Sequence, residues 1–212
     1  MVHLRTEAIS KNFGGVRALR NVDFSCRRGE IHALLGANGS GKSTLSKIIT
    51  GVVAADSGTV YVKNQATKIS GPNDMFEKGI SAVYQELSLI PQLTVAENIL
   101  LGQEKTRLGN IRNKEVWQEA ARFLHAISEK LENEIPLHVP VRNLSSAEQQ
   151  LVEIAKALSR KPEILILDEA TASLRENEVQ VVFEQVRLLK EQGCTVIFIS
   201  HRLEEVFDLC DR

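Results

Sequence analysis

The stretch that decides the fold runs Gly36-Ala37-Asn38-Gly39-Ser40-Gly41-Lys42-Ser43-Thr44. The apolar run at residues 31–35 precedes it, and residues 45–51 follow it with apolar side chains at helical spacing. This order predicts a buried strand, a glycine-rich loop and a helix. We therefore expect an α/β fold that is organised around this loop.

The loop contains the residue types that binding of a polyphosphate requires. Its spacing, G-x-x-x-x-G-K-S, is that of the phosphate-binding loop (P-loop) of nucleoside triphosphatases. Gly36, Gly39 and Gly41 have no Cβ to hold a phosphate away, and the next helix adds amide donors and its positive dipole end. Lys42 can bring its charge to the terminal phosphates, and the Ser43 hydroxyl can bind Mg²⁺. A Gly/Ser turn that only happens to precede a helix is the alternative, which the flanking strand and helix disfavour.

The composition is that of a globular protein that does not need disulfides or a structural metal to fold. The chain has 212 residues, of which 43% are hydrophobic and 25% charged, so one domain, or one domain with a subdomain, is expected. A net charge of −1 disfavours binding to nucleic acid. Three widely spaced cysteines fit neither a disulfide framework nor a zinc site and indicate a reducing cytosol. Residues 1–5 have no apolar core of signal-peptide length, and no apolar run in the sequence approaches about 20 residues, so we expect any work at a membrane to require docking on another chain.

The N-terminal third has the pattern of an antiparallel sheet. Alternating or apolar stretches are separated by glycine-containing turns, and they lie at residues 4–10, 19–25 and 31–35. Phe13 stands beside the glycine pair Gly14-Gly15. Its position alone favours burial in the core, and stacking on a base is the alternative.

Residues from about 90 to 160 are predicted to form an α-helical insertion, because their apolar residues recur with a period of 3.6. Residues 102–112 are predicted to form a loop within it. Two capping boxes predict helix starts, Thr94 with Glu97 and Ser145 with Glu148. A helix N-terminus capped by serine is also an anion site.

Two further strands end in polar residues. Residues 163–169 read Glu-Ile-Leu-Ile-Leu-Asp-Glu, which is typical of a strand buried on both faces of a parallel sheet. Asp168 and Glu169 then lie in the crevice where such sheets place ligands. One carboxylate could hold Mg²⁺ and the other could polarise water, and a cation would offset their repulsion. His201, after the buried strand at residues 194–200, is a cap or a phosphate contact.

Taken in order, these elements resemble the nucleotide-binding domain of an ATP-binding cassette (ABC) protein. The resemblance covers essentially the whole chain and rests on residues 36–44, Gln85, residues 144–150, residues 164–169 and His201. It implies a P-loop NTPase core with a parallel sheet, an N-terminal antiparallel β-subdomain and an inserted α-helical subdomain. Residues 1–212 are then a single ATPase domain, truncated at its C-terminus.

Two later stretches narrow the resemblance. Residues 149–158 and 199–206 resemble the first cassette of the tandem ATPase subunits of bacterial monosaccharide importers, of the ribose, galactose and xylose type. This implies ATP-driven sugar import, a second nucleotide-binding domain in the same polypeptide, and transmembrane permease subunits. A periplasmic sugar-binding protein is reached only through the permease, and no nucleic acid is bound. The chain is expected in the cytoplasm, peripheral on the inner face of the membrane.

The resemblance also assigns roles to single residues. ATP and its phosphates are held by Phe13, which stacks on adenine, and by the loop residues Gly36, Asn38, Gly39, Ser40, Gly41, Lys42, Ser43 and Thr44. Mg²⁺ is bound by Ser43, Gln85 and Asp168. Glu169 is the general base for water, Gln85 reaches the attacking water, and His201 contacts the γ-phosphate. Ser145 closes the site of the partner cassette, since two cassettes pair head to tail.

The chain departs from the family pattern in two places. The usual Leu-Ser-Gly-Gly-Gln appears as Leu144-Ser145-Ser146-Ala147-Glu148, in which Ala147 replaces a glycine and Glu148 adds a negative charge. Arg175 stands where many cassettes carry Asp. The first departure puts the efficiency of the opposite site in question, and the second the communication between the two sites.

Three other functions are weighed against this one. A non-transport cassette ATPase is the nearest, but residues 85–144 are too few for the long coiled coil of the DNA-repair type. A small-molecule kinase with a P-loop would transfer phosphate to a hydroxyl and would lack residues 144–150 and His201. A nucleotide-regulated module without hydrolysis is disfavoured by Glu169 and His201.

Overall fold

A computed structural model describes residues 1–103, 106–107, 110–111, 113–128 and 134–212. The chain forms two compact units. The first comprises Met1–Ala82, Pro162–Glu169 and Arg187–Arg212, and the second comprises Val83–Lys161 and Ala170–Val186. The chain thus leaves the first unit twice, for residues 83–161 and, more briefly, for residues 170–186.

The described part of the chain contains both strands and helices, in the following order. Up to residue 83 they are β1 (Val2–Phe13), β2 (Val16–Arg27), β3 (Ile31–Ala33), α1 (Lys42–Ile49), β4 (Ser57–Val62), β5 (Gln65–Thr67), α2 (Pro72–Glu77) and β6 (Ile80–Val83). After residue 83 the elements are α3 (Val95–Ile99), β7 (Thr106–Arg107), β8 (Asn110–Ile111), α4 (Asn113–Ser128), a 3₁₀ turn (Val141–Asn143), α5 (Ser146–Ser159), β9 (Ile164–Asp168), α6 (Glu176–Glu191), β10 (Thr195–Ile199) and α7 (Leu203–Leu209).

The first unit contains two four-stranded sheets. One has the order β2-β1-β4-β5 with antiparallel pairing throughout, as the alternating N-terminal pattern predicts. The other has the order β3-β10-β9-β6, and β10 runs parallel to both β3 and β9. Every residue of β9 and β10 is buried, which explains why these strands are continuous apolar runs without alternation.

One hydrophobic core joins α1 to both sheets of the first unit. Leu45, Ile48 and Ile49 of α1 pack with Leu4 and Ile9 of β1, and the same cluster includes isoleucines of β9 and β10. These side chains are at most 3% exposed. The buried face of α1 is therefore held against both sheets. This packing also fixes the position of the end of the glycine loop, which joins β3 to α1.

The second unit is mainly helical. Helices α3, α4 and α5 pack against one another, and both predicted capping boxes are present. The predicted loop at 102–112 is wrong in part, because β7 and β8 form a short antiparallel ladder. Strands of two residues are too short to show a period in the sequence.

Within the part of the chain that the structure describes, no helix has the length and hydrophobicity that crossing a bilayer requires.

Candidate functional site

The glycine loop lies between β3 and α1 in the first unit. Residues 36–40 are exposed, and Gly39 and Gly41 adopt φ angles of +79° and +94°. The Lys42 ammonium donates hydrogen bonds to the carbonyl oxygens of Gly36 and Ala37, at 2.8 and 3.1 Å. The lysine charge is thereby held over the loop, where a bound anion would also be placed.

The N-terminus of α1 offers donors to an anion. Its N-cap is Gly41, and among the described residues no side chain caps this helix end. The amide N–H groups of the first turn, which includes Ser43 and Thr44, therefore lack a side-chain acceptor from the cap position. Together with the helix dipole they form a site that favours negative charge.

Asp168 lies at the C-terminal end of β9 and is 2% exposed. Burial raises the pKa of its carboxyl, and hydrogen bonds from Ser43 and Ser46 partly oppose this rise. The Ser46 hydroxyl lies 3.3 Å from Asp168 Oδ2. The structure thus places Asp168 beside Ser43, and a nearby cation would stabilise the buried carboxylate.

Ser46 is a neighbour of Asp168 that the sequence analysis does not identify. It is 2% exposed and stands one helical turn after Ser43, on the same face of α1. The only signal in the sequence is a small polar residue at that spacing, which alone is too common to point to a site.

Glu169 directly follows β9 and has a backbone angle that is rare for its residue type. Its φ is +51°, and its N–H donates to the carbonyl of Ile199 at 2.9 Å. Such angles cost about 1–3 kcal/mol and persist at functional sites. Glu169 Oε1 lies 3.5 Å from Nδ1 of His201, so the two predicted catalytic side chains are neighbours.

Phe13 is not a core residue, and its predicted burial on position alone is wrong. It is the last residue of β1 and is 48% exposed, because it lies at the end of the strand. The Lys11 ammonium lies 5.4 Å from the ring centroid. Asp56 accepts hydrogen bonds from the Lys11 ammonium, at 2.9 Å, and from the Asn12 N–H, at 2.7 Å.

Gln85 and Ser145 belong to the second unit, whereas the other predicted site residues belong to the first. Gln85 is exposed in the loop after β6. Ser145 is the N-cap of α5, and its N–H and hydroxyl both donate to Glu148 Oε2 at 2.7 Å. The carboxylate of Glu148 thus occupies donors that a phosphate would need.

The chain is similar to a known protein family and to proteins of known role. Residues 19–172 match the family model described as ABC transporter. The ribose import ATP-binding protein RbsA of Hahella chejuensis is 47% identical over 210 residues, and the galactofuranose transporter ATP-binding protein YtfR of Escherichia coli K12 is 44% identical over 209. Each alignment covers 99% of this chain but only 41% of the relative. The chain therefore spans about two fifths of the length of these relatives.

Solved structures agree with these matches. A nucleotide-free ATP-binding cassette from an ABC transporter superimposes with a TM-score of 0.81 at 32% identity, over 100% of this chain and 86% of that one. A dimeric post-hydrolysis cassette, MJ0796 bound to ADP and Pi, has a TM-score of 0.82 at 29% identity, with 95% and 89% covered. The predicted P-loop NTPase fold, with its parallel sheet and its antiparallel and helical parts, is confirmed. From the family match and the fold together, the chain belongs to the ABC transporter family of ATP-binding cassettes.

Proposed function

We propose that this chain binds ATP with Mg²⁺, hydrolyses it, and thereby powers the import of a sugar. The observation that carries the proposal is the arrangement in the first unit. There, an exposed glycine loop with Lys42 stands next to the buried carboxylate of Asp168 and the pair of Glu169 and His201.

ATP fits the exposed loop and the residues near it. The amides of residues 36–44 and the Lys42 ammonium would hold the phosphates, as a glycine loop at a helix start does in phosphate sites. The half-exposed ring of Phe13 offers a face on which adenine can stack. Lys11 and Asp56 hold the strand end that carries this ring.

Mg²⁺ fits the oxygen donors beside the loop. The Ser43 hydroxyl and the buried Asp168 carboxylate are hard ligands of the kind that Mg²⁺ takes alongside substrate phosphates and water. Gln85 is the third residue that we assign to the ion. When bound, Mg²⁺ would neutralise charge on the phosphate oxygens during transfer.

The protein's own side chains supply the remaining chemistry. Glu169 accepts a proton from the attacking water, and Gln85 orients that water. Lys42 and the loop amides stabilise charge that develops on the γ-phosphate oxygens. His201 donates a hydrogen bond to the γ-phosphate. Its Nδ1 lies 3.5 Å from Glu169 Oε1, so both side chains can reach the same phosphate group.

A second cassette would complete this site. In the assembled pair, the serine-capped helix of the partner closes the loop of this chain, and Ser145 faces the loop of the partner. Because Glu148 holds both donors of Ser145 at 2.7 Å, we expect this chain to support the partner's site less well than its own.

The transport role is inferred from the relatives. Ribose import and galactofuranose transport appear in the names of proteins that match 99% of this chain. These matches favour sugar import over a non-transport ATPase. We propose accordingly a permease in the membrane, a second cassette in the same polypeptide and a position on the cytoplasmic face.

Two substitutions test the proposed chemistry. Glu169→Gln is expected to lower ATP turnover by at least about 100-fold and to leave ATP binding intact, because only the proton acceptor is lost. Glu191→Gln, at the exposed end of α6, removes the same charge elsewhere and should leave turnover unchanged. Lys42→Ala should weaken ATP binding itself. Undiminished turnover in Glu169→Gln, or undiminished binding in Lys42→Ala, would refute the assignment, with phosphate release and calorimetry as the measurements.

A further inference from the structure

Two charged side chains of α5 are buried, although the helical pattern of apolar residues predicts burial for neither of them. Glu153 and Lys156 are 3% and 9% exposed, although they stand among the apolar residues that form the buried part of this helix. Burial lowers the pKa of the Lys156 ammonium, and the charge of Glu153 partly opposes this. Buried charges are retained only where good partners offset their desolvation. The hydrogen-bond partners of Glu153 and Lys156 therefore indicate the role of these two side chains.

Both side chains bind the same exposed residue, Ser88. The Ser88 N–H and hydroxyl donate to the Glu153 carboxylate at 3.2 and 2.5 Å. The Lys156 ammonium donates to the Ser88 carbonyl and hydroxyl at 3.0 and 2.8 Å. Every polar atom of Ser88 is thus used, and two buried charges fix one position of a surface loop. We call this set of three residues, Ser88, Glu153 and Lys156, the Ser88 clamp.

A second buried residue holds the same loop two positions further on. Asn98 of α3 is fully buried, its Oδ1 accepts from the Ile90 N–H at 2.7 Å, and its Nδ2 donates to the Ile90 carbonyl at 3.0 Å. The loop after β6 is therefore anchored to α5 at Ser88 and to α3 at Ile90. Gln85, three residues before Ser88, stands on the segment that these anchors hold.

Helix α5 joins this clamp to the serine cap. It begins at its N-cap, Ser145, and reaches Glu153 and Lys156 after two to three turns of one continuous helix. A helix of this length moves as one body, so a displacement of its capped end is passed to Ser88. The end that would face a partner's nucleotide and the loop that carries Gln85 are thus mechanically joined within the second unit.

We propose that Ser88 is a positioning residue for Gln85, and that Glu153 and Lys156 tie the Gln85 loop to α5 through it. This inference rests on the proposed function, in which Gln85 binds Mg²⁺ and orients water. It adds that α5 determines where Gln85 stands. Loss of the clamp should then act on turnover only through Gln85.

A double-mutant cycle tests this dependence. Ser88→Ala removes the hydroxyl of an exposed residue and should lower kcat about tenfold or more with KM for ATP within about twofold, as loss of a supporting contact does at metal sites. Gln85→Ala should have a similar or larger effect. The variant with both changes should be no slower than Gln85→Ala alone, because the clamp has nothing left to position. Ser88→Thr, which keeps the hydroxyl, should restore most of the rate.

Ser159→Ala is the matched control. It removes the hydroxyl of the last residue of α5, which accepts from Gln103 at 2.8 Å and lies 2.9 and 2.8 Å from the carbonyl oxygens of Ile99 and Lys156, and which makes no contact with Ser88 among these bonds. It should leave kcat unchanged. Hydrogen exchange provides a measurement that does not depend on turnover, and the amides of residues 85–90 should exchange faster in Ser88→Ala but not in Ser159→Ala.

The outcomes separate the two claims. If Ser88→Ala and Gln85→Ala lower kcat independently, so that their effects multiply, or if loop exchange is unchanged, the clamp is refuted while hydrolysis stands. If the wild-type chain paired with a second cassette shows no turnover with Mg-ATP, the proposed function fails, and the role of Ser88 in catalysis fails with it.

Discussion

Gly41→Ala is expected to destabilise the protein far more than Gly39→Ala, although both lie in the same loop. Both glycines have positive φ, +79° at Gly39 and +94° at Gly41, and an alanine there costs about 1 kcal/mol. The surroundings of the two positions differ. A Cβ at Gly39 would meet nothing within 4 Å, whereas one at Gly41 would lie 2.7 Å from the carbonyl oxygen of Ala18 and 2.6 Å from Leu19 Cδ2.

The magnitude follows from this difference. The Leu19 methyl can rotate away, but the Ala18 carbonyl belongs to β2 and can move only with its strand. Overpacking of this kind costs about 1–3 kcal/mol beyond the backbone strain. For a chain of 212 residues, about 1 kcal/mol lowers Tm by about 2–4 °C. Gly41→Ala should therefore melt about 2–12 °C below Gly39→Ala.

Calorimetry or circular dichroism on the two variants at equal concentration measures the difference directly. The comparison cancels the shared cost of positive φ and the shared gain from a stiffer unfolded chain. Equal melting temperatures would refute the packing of β2 against the loop. A lower melting temperature for Gly39→Ala than for Gly41→Ala would refute it more strongly.

Three further predictions concern pH, base stacking and the cap. Burial lowers the pKa of His3, so the unfolded chain binds more protons than the folded chain, and the free energy of unfolding should fall as pH drops below about 6.5. In denaturant titrations, the free energy of unfolding of His3→Asn should depend less on pH than that of the wild type. An unchanged pH dependence would contradict this origin. Phe13→Ala should weaken ATP binding about tenfold and leave tripolyphosphate binding unchanged in calorimetry, whereas equal losses would rule out stacking. Glu148→Ala should cost about 1 kcal/mol of stability by removing the capping box, and a neutral result in thermal melts would show that the cap contributes little.

Much of the site could be predicted because its chemistry is local. The glycine loop, its lysine and the start of α1 lie within nine consecutive residues, and the capping boxes depend on residues three apart. The acidic end of β9 could be predicted because four apolar residues in a row mark a strand buried on both faces. For such features the physical cause and the sequence signal have the same short range.

The tertiary structure decided the features whose partners are far apart in the chain. Ser46 contacts Asp168, which is 122 residues away in the sequence, and Ser88 contacts Glu153, which is 65 residues away. No periodicity in the sequence reveals contacts at such separations. The sequence alone determined a glycine-rich loop with P-loop spacing, the helix that follows it and a buried apolar strand with an acidic end. Only the fold determined that Phe13 stays exposed at a sheet end and that Glu153 and Lys156 are buried, because exposure depends on what the rest of the chain places above a residue.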